Sequence, residues 1–547
     1  MKIRMGVLAA VALVLSACGG GGGGANGGSG APLPGTQAAV GIAIVPGDVT
    51  VTPGGAQGFT CAVNGTDNTQ CTWKVQEGSA GGNISAGGNY TAPAADGTFH
   101  VIATAVADPA RTATATVRVS ATATRQPWVT GYYAGWYWPS SSPADVDMSA
   151  MTHFVFGRVA PGSGTLHGNP GDVMPGAGSA HRAGEQGAPD PARSVEDYLV
   201  RRAHAAGTRA LLMVGGAGDG AGFLRSTADG VRPTFVRNLV DYAIAHDYDG
   251  IDMDWEDELG ANSLGLPAAE TYRRLLALMR DLRIEANTRA RYQSPNAPFI
   301  LTFPGYAKNL NINQVQPWEV EVASLSDQFN LMSYGIGTAS DAQGWHSWFT
   351  SPISGKYGNA PVDLASSIDA FVAKGVPRGK LGIGMGFYGI YYGNPAEMDP
   401  TAPPLVTGPR QELRGARLEA DDNALAYNVL VELGYLDHGT YAYDTEAQAA
   451  YRTYTGPAYP RGFRPAIAPH DGRSAAGFLS YENGQSIAAK GAWVRNPQTA
   501  VGGAIVWTIN YGYLQGNGPH GSGGSNPLLA AVKCSFLQRG CPAPATP

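Results

Sequence analysis

The sequence predicts an α/β protein built around a (β/α)8 TIM barrel, which follows a small all-β sandwich. Two observations lead to this prediction. Short apolar segments alternate with helical patterns between residues 128 and 533, as they do in parallel α/β folds. Residues 38–122 instead alternate apolar and small polar residues, with turns rich in Gly, Asn and Pro and without helical periodicity.

Eight apolar segments are predicted to form the barrel strands. They span residues 129–137, 152–159, 210–216, 250–256, 299–304, 329–334, 381–388 and 503–510. The residues between these segments show the apolar spacing of helices. Tyr272, Leu275 and Met279, for example, recur at intervals of three and four residues. Residues 390–473 are predicted to be an insertion between the last two strands, and residues 534–547 a C-terminal tail. Eight βα units are typical of a closed barrel.

The sandwich prediction rests on five segments with strand-like alternation. They span residues 41–51, 58–64, 71–76, 98–105 and 112–120. Trp73 and the run Gly88-Asn89-Tyr90-Thr91 resemble bacterial immunoglobulin-like domains, which occur beside secreted enzymes. Such a domain is either a carbohydrate-binding module or a spacer. This part of the sequence has no recognisable row of aromatic residues, which favours the spacer.

Composition excludes two classes of protein. Charged residues make up 15% of the 547 residues, the formal net charge is −6, and there is no run rich in Lys and Arg. Nucleic acid is therefore not an expected partner. No apolar run approaches the roughly 20 residues that span a bilayer, so an integral membrane protein is not expected either.

The N-terminus resembles a bacterial lipoprotein signal. Lys2 and Arg4 precede an apolar run that ends in Leu15-Ser16-Ala17-Cys18. We expect residues 1–17 to be the signal peptide, Cys18 to be lipidated, and residues 18–37 to form a Gly-rich tether. A plain secretory signal is the alternative. The expected location is outside the cytoplasm, either anchored by this lipid to a bacterial membrane, preferentially the outer one, or released.

The other four cysteines are expected to form two disulfides. The pairs are Cys61 with Cys71 and Cys534 with Cys541, because export favours oxidation of thiols. Metal binding is the alternative, but the sequence lacks the C-x-x-C and His spacing of zinc sites. No metal or other cofactor is expected.

The strongest functional signal is the run from Asp249 to Glu256, Asp-Gly-Ile-Asp-Met-Asp-Trp-Glu. Side chains two apart on a strand point the same way, so Asp252, Asp254 and Glu256 share a face. Burial and like charge raise a carboxyl pKa, which suits an acid that must stay protonated near neutral pH. Glu256 comes last, nearest the mouth where barrel active sites lie. A calcium or magnesium site is the alternative, but ligands confined to one strand would surround an ion poorly.

This run resembles the D-x-x-D-x-D-x-E signature of glycoside hydrolase family 18, the chitinase family. The resemblance covers about residues 128–533. It includes Gly131-Tyr132-Tyr133, Gly215-Gly216, Met332-Ser333-Tyr334, Phe478-Leu479-Ser480-Tyr481-Glu482 and Trp507. It implies a chitinase that cleaves β-1,4 bonds of N-acetylglucosamine polymers without a cofactor. The implied mechanism is retaining, with the substrate's own 2-acetamido oxygen attacking the anomeric carbon.

The resemblance also implies a role for each acid. Glu256 would protonate the glycosidic oxygen and then act as base. Asp254 would hold the acetamido N–H and share a proton with Asp252. Tyr334 would donate to the acetamido oxygen. The remaining candidates for substrate contact are Trp507, Tyr132, Met332, Asp249, Trp136 and Tyr388.

The sequence departs from the family pattern in three places. Met213 replaces a Ser, Gly335 replaces an Asp, and Asp257-Glu258 replace the usual Tyr-Pro. They leave open an endo-β-N-acetylglucosaminidase that uses the same acids on N-glycans. A third hypothesis is an inactive chitin-binding lectin, although such proteins typically lose the acid, which is present here. Arg158, in the second predicted strand, is either a polar contact of the site or a surface residue.

Overall fold

The computed structural model describes residues 39–121, 126–176, 179–294, 297–308, 312–337, 346–355, 363–393, 406–413, 417–420, 422–454, 477–499, 501–518 and 521–541. The predicted signal peptide, 1–17, and the tether with its lipidation site Cys18, 18–37, lie outside these residues. Within the described ranges, no helix is both long and apolar enough to cross a bilayer.

The described strands and helices follow one another along the chain with these bounds. The strands are β1 (Gly41–Val45), β2 (Asp48–Val51), β3 (Ala56–Gly58), β4 (Thr60–Asn64), β5 (Cys71–Val75), β6 (Asn83–Ile84), β7 (Asn89–Thr91), β8 (Gly97–Ala105), β9 (Thr112–Val119), β10 (Trp128–Ala134), β11 (His153–Pro161), β12 (Val173–Pro175), β13 (Arg209–Gly215), β14 (Gly250–Asp254), β15 (Ile300–Tyr306), β16 (Gln328–Met332), β17 (Leu381–Gly386), β18 (Ile390–Gly393), β19 (Arg417–Glu419), β20 (Thr440–Asp444), β21 (Ala449–Tyr454), β22 (Gly477–Tyr481) and β23 (Gly503–Trp507). The α-helices are α1 (Val195–Ala205), α2 (Gly220–Ser226), α3 (Arg232–Ala245), α4 (Ala268–Asn287), α5 (Pro317–Leu325), α6 (Leu364–Ala373), α7 (Tyr427–Glu432), α8 (Gly484–Arg495) and α9 (Pro527–Leu537).

Eight parallel strands close into the predicted barrel, in the order β10-β11-β13-β14-β15-β16-β17-β23. Closure results from β10, which pairs with β11 on one side and with β23 on the other. The short strand β12 adds an antiparallel edge to β11. The barrel strands are almost wholly buried, because side chains fill the interior and helices cover the outside. The prediction of an eight-stranded TIM barrel is confirmed.

The predicted strands differ from the observed ones mainly at their ends. The first was predicted to reach residue 137, but β10 ends at Ala134 and Gly135–Tyr137 form a 3-10 turn. The fourth was predicted to reach Glu256, but β14 ends at Asp254. Apolar periodicity continues past the last ladder hydrogen bond, so it overestimates strand length at the mouth.

The N-terminal strands form a β-sandwich of three small sheets, β1-β4, β2-β9-β8-β5 and β3-β7-β6. The predicted strand 41–51 is two strands in different sheets, since Pro46 lacks a donor and separates them. The disulfide between Cys61 and Cys71 joins β4 to β5, which belong to different sheets. It is the pair that the sequence predicts.

The sandwich packs against the outside of the barrel through polar contacts to α4 and α5. Asn64 donates to the carboxylate of Asp281 at 2.9 Å, and the Thr60 hydroxyl donates to the carbonyl of Ser324 at 2.7 Å. The Lys380 ammonium, just before β17, donates to that carbonyl at 3.0 Å. A cavity of about 650 Å³ separates the sandwich from barrel residues that stand at the beginning of strands, namely Trp128, His153, Arg209, Ile300, Gln328 and Lys380. The sandwich therefore lies near the N-terminal end of the barrel strands, opposite to the mouth.

The insertion forms a five-stranded antiparallel sheet in the order β19-β18-β22-β21-β20, accompanied by α7. The predicted end at 473 is wrong: β22 belongs to this sheet because it pairs with both β18 and β21, and it reaches Tyr481. At the C-terminus, α9 continues past the predicted barrel end at 533 to Leu537. Cys534, on α9, forms the predicted disulfide with Cys541.

Candidate active site

Strand β14 carries the acidic row into the barrel. All five of its residues are buried, with alternate side chains pointing into the interior. Asp252 has no exposed surface. Its carboxylate accepts hydrogen bonds from the hydroxyls of Tyr132, at 2.9 Å, and of Thr302. The deepest acid of the row is therefore fixed by donors from two other strands.

Asp254 lies one step closer to the mouth and has an open acceptor. The residue is 4% exposed, and its Oδ1 has no hydrogen-bond partner among the described residues. Its backbone carbonyl accepts from the N–H of Gly216 at 2.8 Å, which pairs the strand end with the neighbouring strand. An unpaired buried acceptor is unfavourable by about 1–3 kcal/mol. This oxygen is available to a donor on a ligand.

Glu256 lies just beyond β14 and is partly buried at the mouth. Its backbone carbonyl accepts from the hydroxyl of Tyr306. Trp255 points to the other side of the strand and stacks on Phe223, with ring centroids 4.7 Å apart. The Trp255 indole also donates to the carbonyl of Asp257 at 2.8 Å. These contacts hold the backbone on both sides of Glu256 and so fix the direction of its side chain.

The pKa values of all three acids are raised. Burial raises the pKa of Asp252 to about 6, although its two hydroxyl donors oppose this. Burial, followed by the charges of Glu256 and Asp252, holds the pKa of Asp254 well above its usual range. Burial, followed by the charge of Asp257, raises the pKa of Glu256 to about 7. The row retains protons near neutral pH, as a general acid must.

The structure brings together four of the candidates from the sequence beside the acids: Tyr132, Met332, Tyr334 and Trp507. They belong to one cluster inside the barrel. The Tyr132 and Trp507 rings are 5.8 Å apart between centroids and meet edge to face. Burial holds the pKa of Tyr334 well above its usual range, so its hydroxyl stays protonated and can donate.

Trp136 and Tyr388 also lie near the mouth, but their exposure differs. Trp136 is 39% exposed, and its ring comes within 3.6 Å of where a Cβ on Gly157 would lie. Tyr388 is buried, and its ring centroid is 5.9 Å from that of Tyr334. Trp136 therefore exposes part of its ring, whereas Tyr388 exposes little surface and packs against Tyr334.

The structure explains why glycine, rather than the family's Asp, occupies position 335. Its φ is 61°, in the left-handed region that favours glycine, and a Cβ there would lie 2.8 Å from the Tyr388 hydroxyl oxygen. An aspartate would be strained and would collide with that hydroxyl. Tyr388 thus fills the space beside Tyr334 that a carboxylate at 335 would need.

Asp249 was predicted to contact substrate, and the structure contradicts this. It precedes β14 and lies at the opposite end of the barrel from Glu256. Its carboxylate accepts from the N–H of Ala210 at 2.9 Å and pairs with His204 at 3.0 Å. Arg209 and Arg291 each approach it to 3.3 Å. Asp249 thus connects neighbouring helices to the N-terminal end of the barrel strands. It is three residues from Asp252, and this odd spacing already places it off the face that the three acids share.

Three charged residues near the acids were missed or left open by the sequence analysis. Arg158 approaches Asp254 from β11, and it interrupts the apolar run from Phe154 to Ala160 of that strand, which is a usable signal. Asp257 accepts from the N–H groups of Gly218 and Gly220 at 3.0 and 2.7 Å. Asp422 accepts from the Trp507 indole at 2.9 Å. Asp422 comes from the insertion, and no local pattern connects it to a strand so distant in sequence.

The described residues contain no group of three or more His, Cys, Asp or Glu side chains that could hold a metal ion. The site is instead a row of protonatable carboxyls at the mouth of a TIM barrel, with aromatic side chains around it. Carboxyl groups placed in this way at the mouth of a barrel are typical of glycosidases.

The family model for glycosyl hydrolases family 18 matches residues 129–512, and the chain belongs to this family. Among curated relatives, Chitinase 1 of Aphanocladium album is 26% identical over 47% of this chain and 60% of its own length. A chitinase-like effector of Moniliophthora perniciosa is 25% identical over 69% of this chain and 82% of its own.

Solved structures share the fold. A mutant of the class V chitinase of Nicotiana tobaccum, in complex with NAG4, has a TM-score of 0.53 and 16% identity. The alignment covers 75% of this chain and 99% of that one. That structure therefore matches this chain in fold over almost its whole length.

Proposed function

We propose that the protein is a chitinase that hydrolyses β-1,4 bonds of N-acetylglucosamine polymers by a substrate-assisted, retaining mechanism. The observation that carries the proposal is the row formed by buried Asp252 and Asp254 and partly buried Glu256, whose pKa is raised to about 7 at the barrel mouth. Relatives named chitinases, one of them solved with NAG4, support the same substrate class.

In the first step, protonated Glu256 donates its proton to the glycosidic oxygen. The bond from that oxygen to the anomeric carbon breaks, and the leaving chain carries the proton away. The substrate's acetamido oxygen attacks the anomeric carbon from the other face and forms an oxazolinium ion. No protein carboxylate becomes covalently attached.

Asp254 and Tyr334 position the acetamido group for this attack. The open Oδ1 of Asp254 accepts the acetamido N–H and faces the positive charge that develops. The Tyr334 hydroxyl, kept protonated by burial, donates to the acetamido oxygen. Asp252 shares a proton with Asp254 and so influences the charge on that carboxyl. The hydroxyls of Tyr132 and Thr302 hold Asp252 in place.

In the second step, the Glu256 carboxylate takes a proton from water as the water oxygen attacks the anomeric carbon. The oxazolinium ring opens, the acetamido group is restored, and the acid is protonated again. Two inversions at the same carbon retain its configuration. Trp507 provides a flat apolar surface for the sugar ring at the centre of the site.

We also propose that the chain is exported and lipid-anchored through Cys18, with the sandwich as a spacer of the immunoglobulin-like type. The support is the lipobox-like sequence Leu15-Ser16-Ala17-Cys18 and the position of the sandwich at the end of the barrel opposite the mouth. Metabolic labelling with palmitate tests this. Cys18→Ser is expected to lose the label, and a label that persists in this variant overturns the anchor.

The activity is tested with the chain from residue 31 onward, which retains every described residue. It is incubated separately with chitin hexasaccharide and with an N-glycosylated protein, and products are identified by mass spectrometry. Shorter oligosaccharides from the hexasaccharide support the chitinase. Glycan release with an intact hexasaccharide replaces it with the endo-β-N-acetylglucosaminidase. Chitin binding without any product indicates a lectin. A hexasaccharide without acetyl groups must stay intact if the acetamido oxygen is the nucleophile.

A further inference from the structure

Arg158 brings a positive charge to the acidic row from the neighbouring part of the barrel. It lies on β11, and its side chain is 17% exposed. Its Nη1 is 3.5 Å from the position that a Cβ on Gly216 would take, and Oδ2 of Asp254 is 3.8 Å from the same position. The guanidinium and the carboxylate therefore approach one small space, which a side chain at residue 216 would fill.

Asp219, just before α2, holds this guanidinium. It is completely buried and accepts from Nη1 of Arg158 and from the hydroxyl of Thr165. Nη1 also donates to the carbonyl of Gly215 at 3.2 Å, and Nη2 donates to the Thr165 hydroxyl at 3.1 Å. With this many partners, the charge of Arg158 has a defined position.

A purely structural role explains the Arg158–Asp219 pair poorly. Removing two charges from water costs about as much free energy as their attraction returns, so a buried ion pair adds little net stability. Well-packed apolar side chains would join β11 to α2 at least as well. The pair lies instead beside the only carboxyls of the proposed reaction, which suggests an electrostatic role.

The groups that face Glu256 come from several elements. They are the acids Asp252, Asp254 and Asp257, the cation Arg158, and the hydroxyls of Tyr306, Tyr334 and Tyr388. Burial and the acids raise the pKa of Glu256; the hydrogen bond from the backbone N–H of Ala217 opposes them, and so does the charge of Arg158. Burial lowers the pKa of Arg158 itself, while Asp254 and Glu256 hold it up. The acids and the cation thus stabilise each other's charged forms.

We propose that Arg158 is a positioning residue: held by Asp219, it sets the charge balance of Asp254 and Glu256 and so the pH above which Glu256 no longer donates a proton. Asp219 limits this effect, because its negative charge offsets part of the guanidinium charge. The inference rests on the proposed function for the role of Glu256, but the charge coupling is measurable without any turnover.

Four variants test the coupling through the direction in which each moves the pH midpoint of Glu256 titration. Arg158→Met removes the cation and should raise the pH midpoint of Glu256 titration by about half to one unit. Asp219→Asn leaves the cation without its counter-charge and should lower that midpoint. The double variant should return toward the wild type. Arg158→Lys keeps the charge and should stay close to the wild type.

The direct measurement is ¹³C NMR of the full-length protein labelled at glutamate side-chain carboxyls. The resonance that disappears in Glu256→Gln is the one followed against pH. Thermal unfolding at pH 7 checks that each variant is folded. The pH profile of kcat/KM on chitin hexasaccharide is recorded beside it, and its alkaline limb should move with the NMR midpoint.

Opposite shifts for Arg158→Met and Asp219→Asn support the inference. Unchanged midpoints, or shifts in the same direction, overturn it, because loosened packing alone would not give opposite signs. Opposite NMR shifts in a protein without hydrolysis would leave the charge coupling standing and overturn the proposed function. If the protein hydrolyses chitin hexasaccharide but the alkaline limb of kcat/KM moves in neither variant, the proposed function stands and the charge coupling is overturned.

Discussion

The indole N–H of Trp507 donates to the carboxylate of Asp422 at 2.9 Å. Trp507 ends the last barrel strand, and Asp422 belongs to the insertion. The next residue, Asn423, accepts from the hydroxyls of Tyr137 and Tyr511, which follow the first and last strands. The insertion is therefore bonded directly to the barrel mouth, where it fixes the aromatic ring beside the acids.

Removal of the Asp422 carboxylate should weaken substrate binding. Asp422→Ala leaves the Trp507 ring without its acceptor, and a hydrogen bond to a charged group is worth about 1.5–3 kcal/mol. We expect KM for chitin hexasaccharide to rise about tenfold or more while kcat changes little. Asp422→Asn keeps an acceptor and should lie in between, and Asp437→Ala, at an exposed site of the insertion, is the matched control. Unchanged KM in Asp422→Ala would contradict this role.

Activity should fall above about pH 7, because Glu256 must be protonated to donate and its pKa is raised to about 7. After burial, the charge of Asp257 is the largest cause of that raised pKa. Asp257→Asn should therefore move the alkaline limb of kcat/KM to lower pH, by several tenths of a unit or more. Glu258→Gln, at the adjacent carboxyl, is the control and should leave the limb in place. A limb that does not respond to Asp257→Asn would show that another group controls it.

Asp249→Asn should reduce stability and leave catalysis intact. Burial opposes its ionisation, but the bonds from His204 and the Ala210 N–H lower its folded pKa to about 2, from an ordinary 3.8. A lowered pKa contributes stability above the unfolded pKa, and the contribution is lost as pH falls toward 2. Urea unfolding at pH 7 should show a loss of about 2 kcal/mol that shrinks below pH 4.

The control for this prediction is Asp247→Asn, whose carboxylate is 62% exposed. It should change stability by a few tenths of a kcal/mol at most. A large fall in kcat for Asp249→Asn, measured below the unfolding temperature of this variant, would show that Asp249 takes part in the reaction.

Restoring the family's aspartate at position 335 should destabilise the protein. Gly335→Asp places a side chain at φ 61° and pushes its Cβ against the Tyr388 hydroxyl. The left-handed backbone alone costs about 1–2 kcal/mol. Addition of Tyr388→Phe removes the hydroxyl and should recover part of the loss, as followed by thermal unfolding. A stable single variant with improved activity would contradict the view that Tyr388 replaces the carboxylate.

Much of the site could be predicted because strand alternation is a local rule. The fixed two-residue spacing placed Asp252, Asp254 and Glu256 on one face, and the eight apolar segments gave the barrel. What failed depended on distant contacts. The end of the insertion was misplaced because β22 belongs to a sheet formed by strands far apart in sequence. Asp249 was misassigned for a different reason: it was taken over with the motif, although its odd offset from Asp252 places it off the acidic face.

The central claim is that Glu256 is the proton donor of a glycosidase. Its most direct test is hydrolysis of chitin hexasaccharide by Glu256→Gln beside the wild type, with hexasaccharide binding measured by calorimetry on both proteins. The amide keeps the shape of the side chain but cannot release a proton. We expect kcat to fall by at least about a thousandfold with binding retained. Hydrolysis at a rate near that of the wild type would contradict the mechanism.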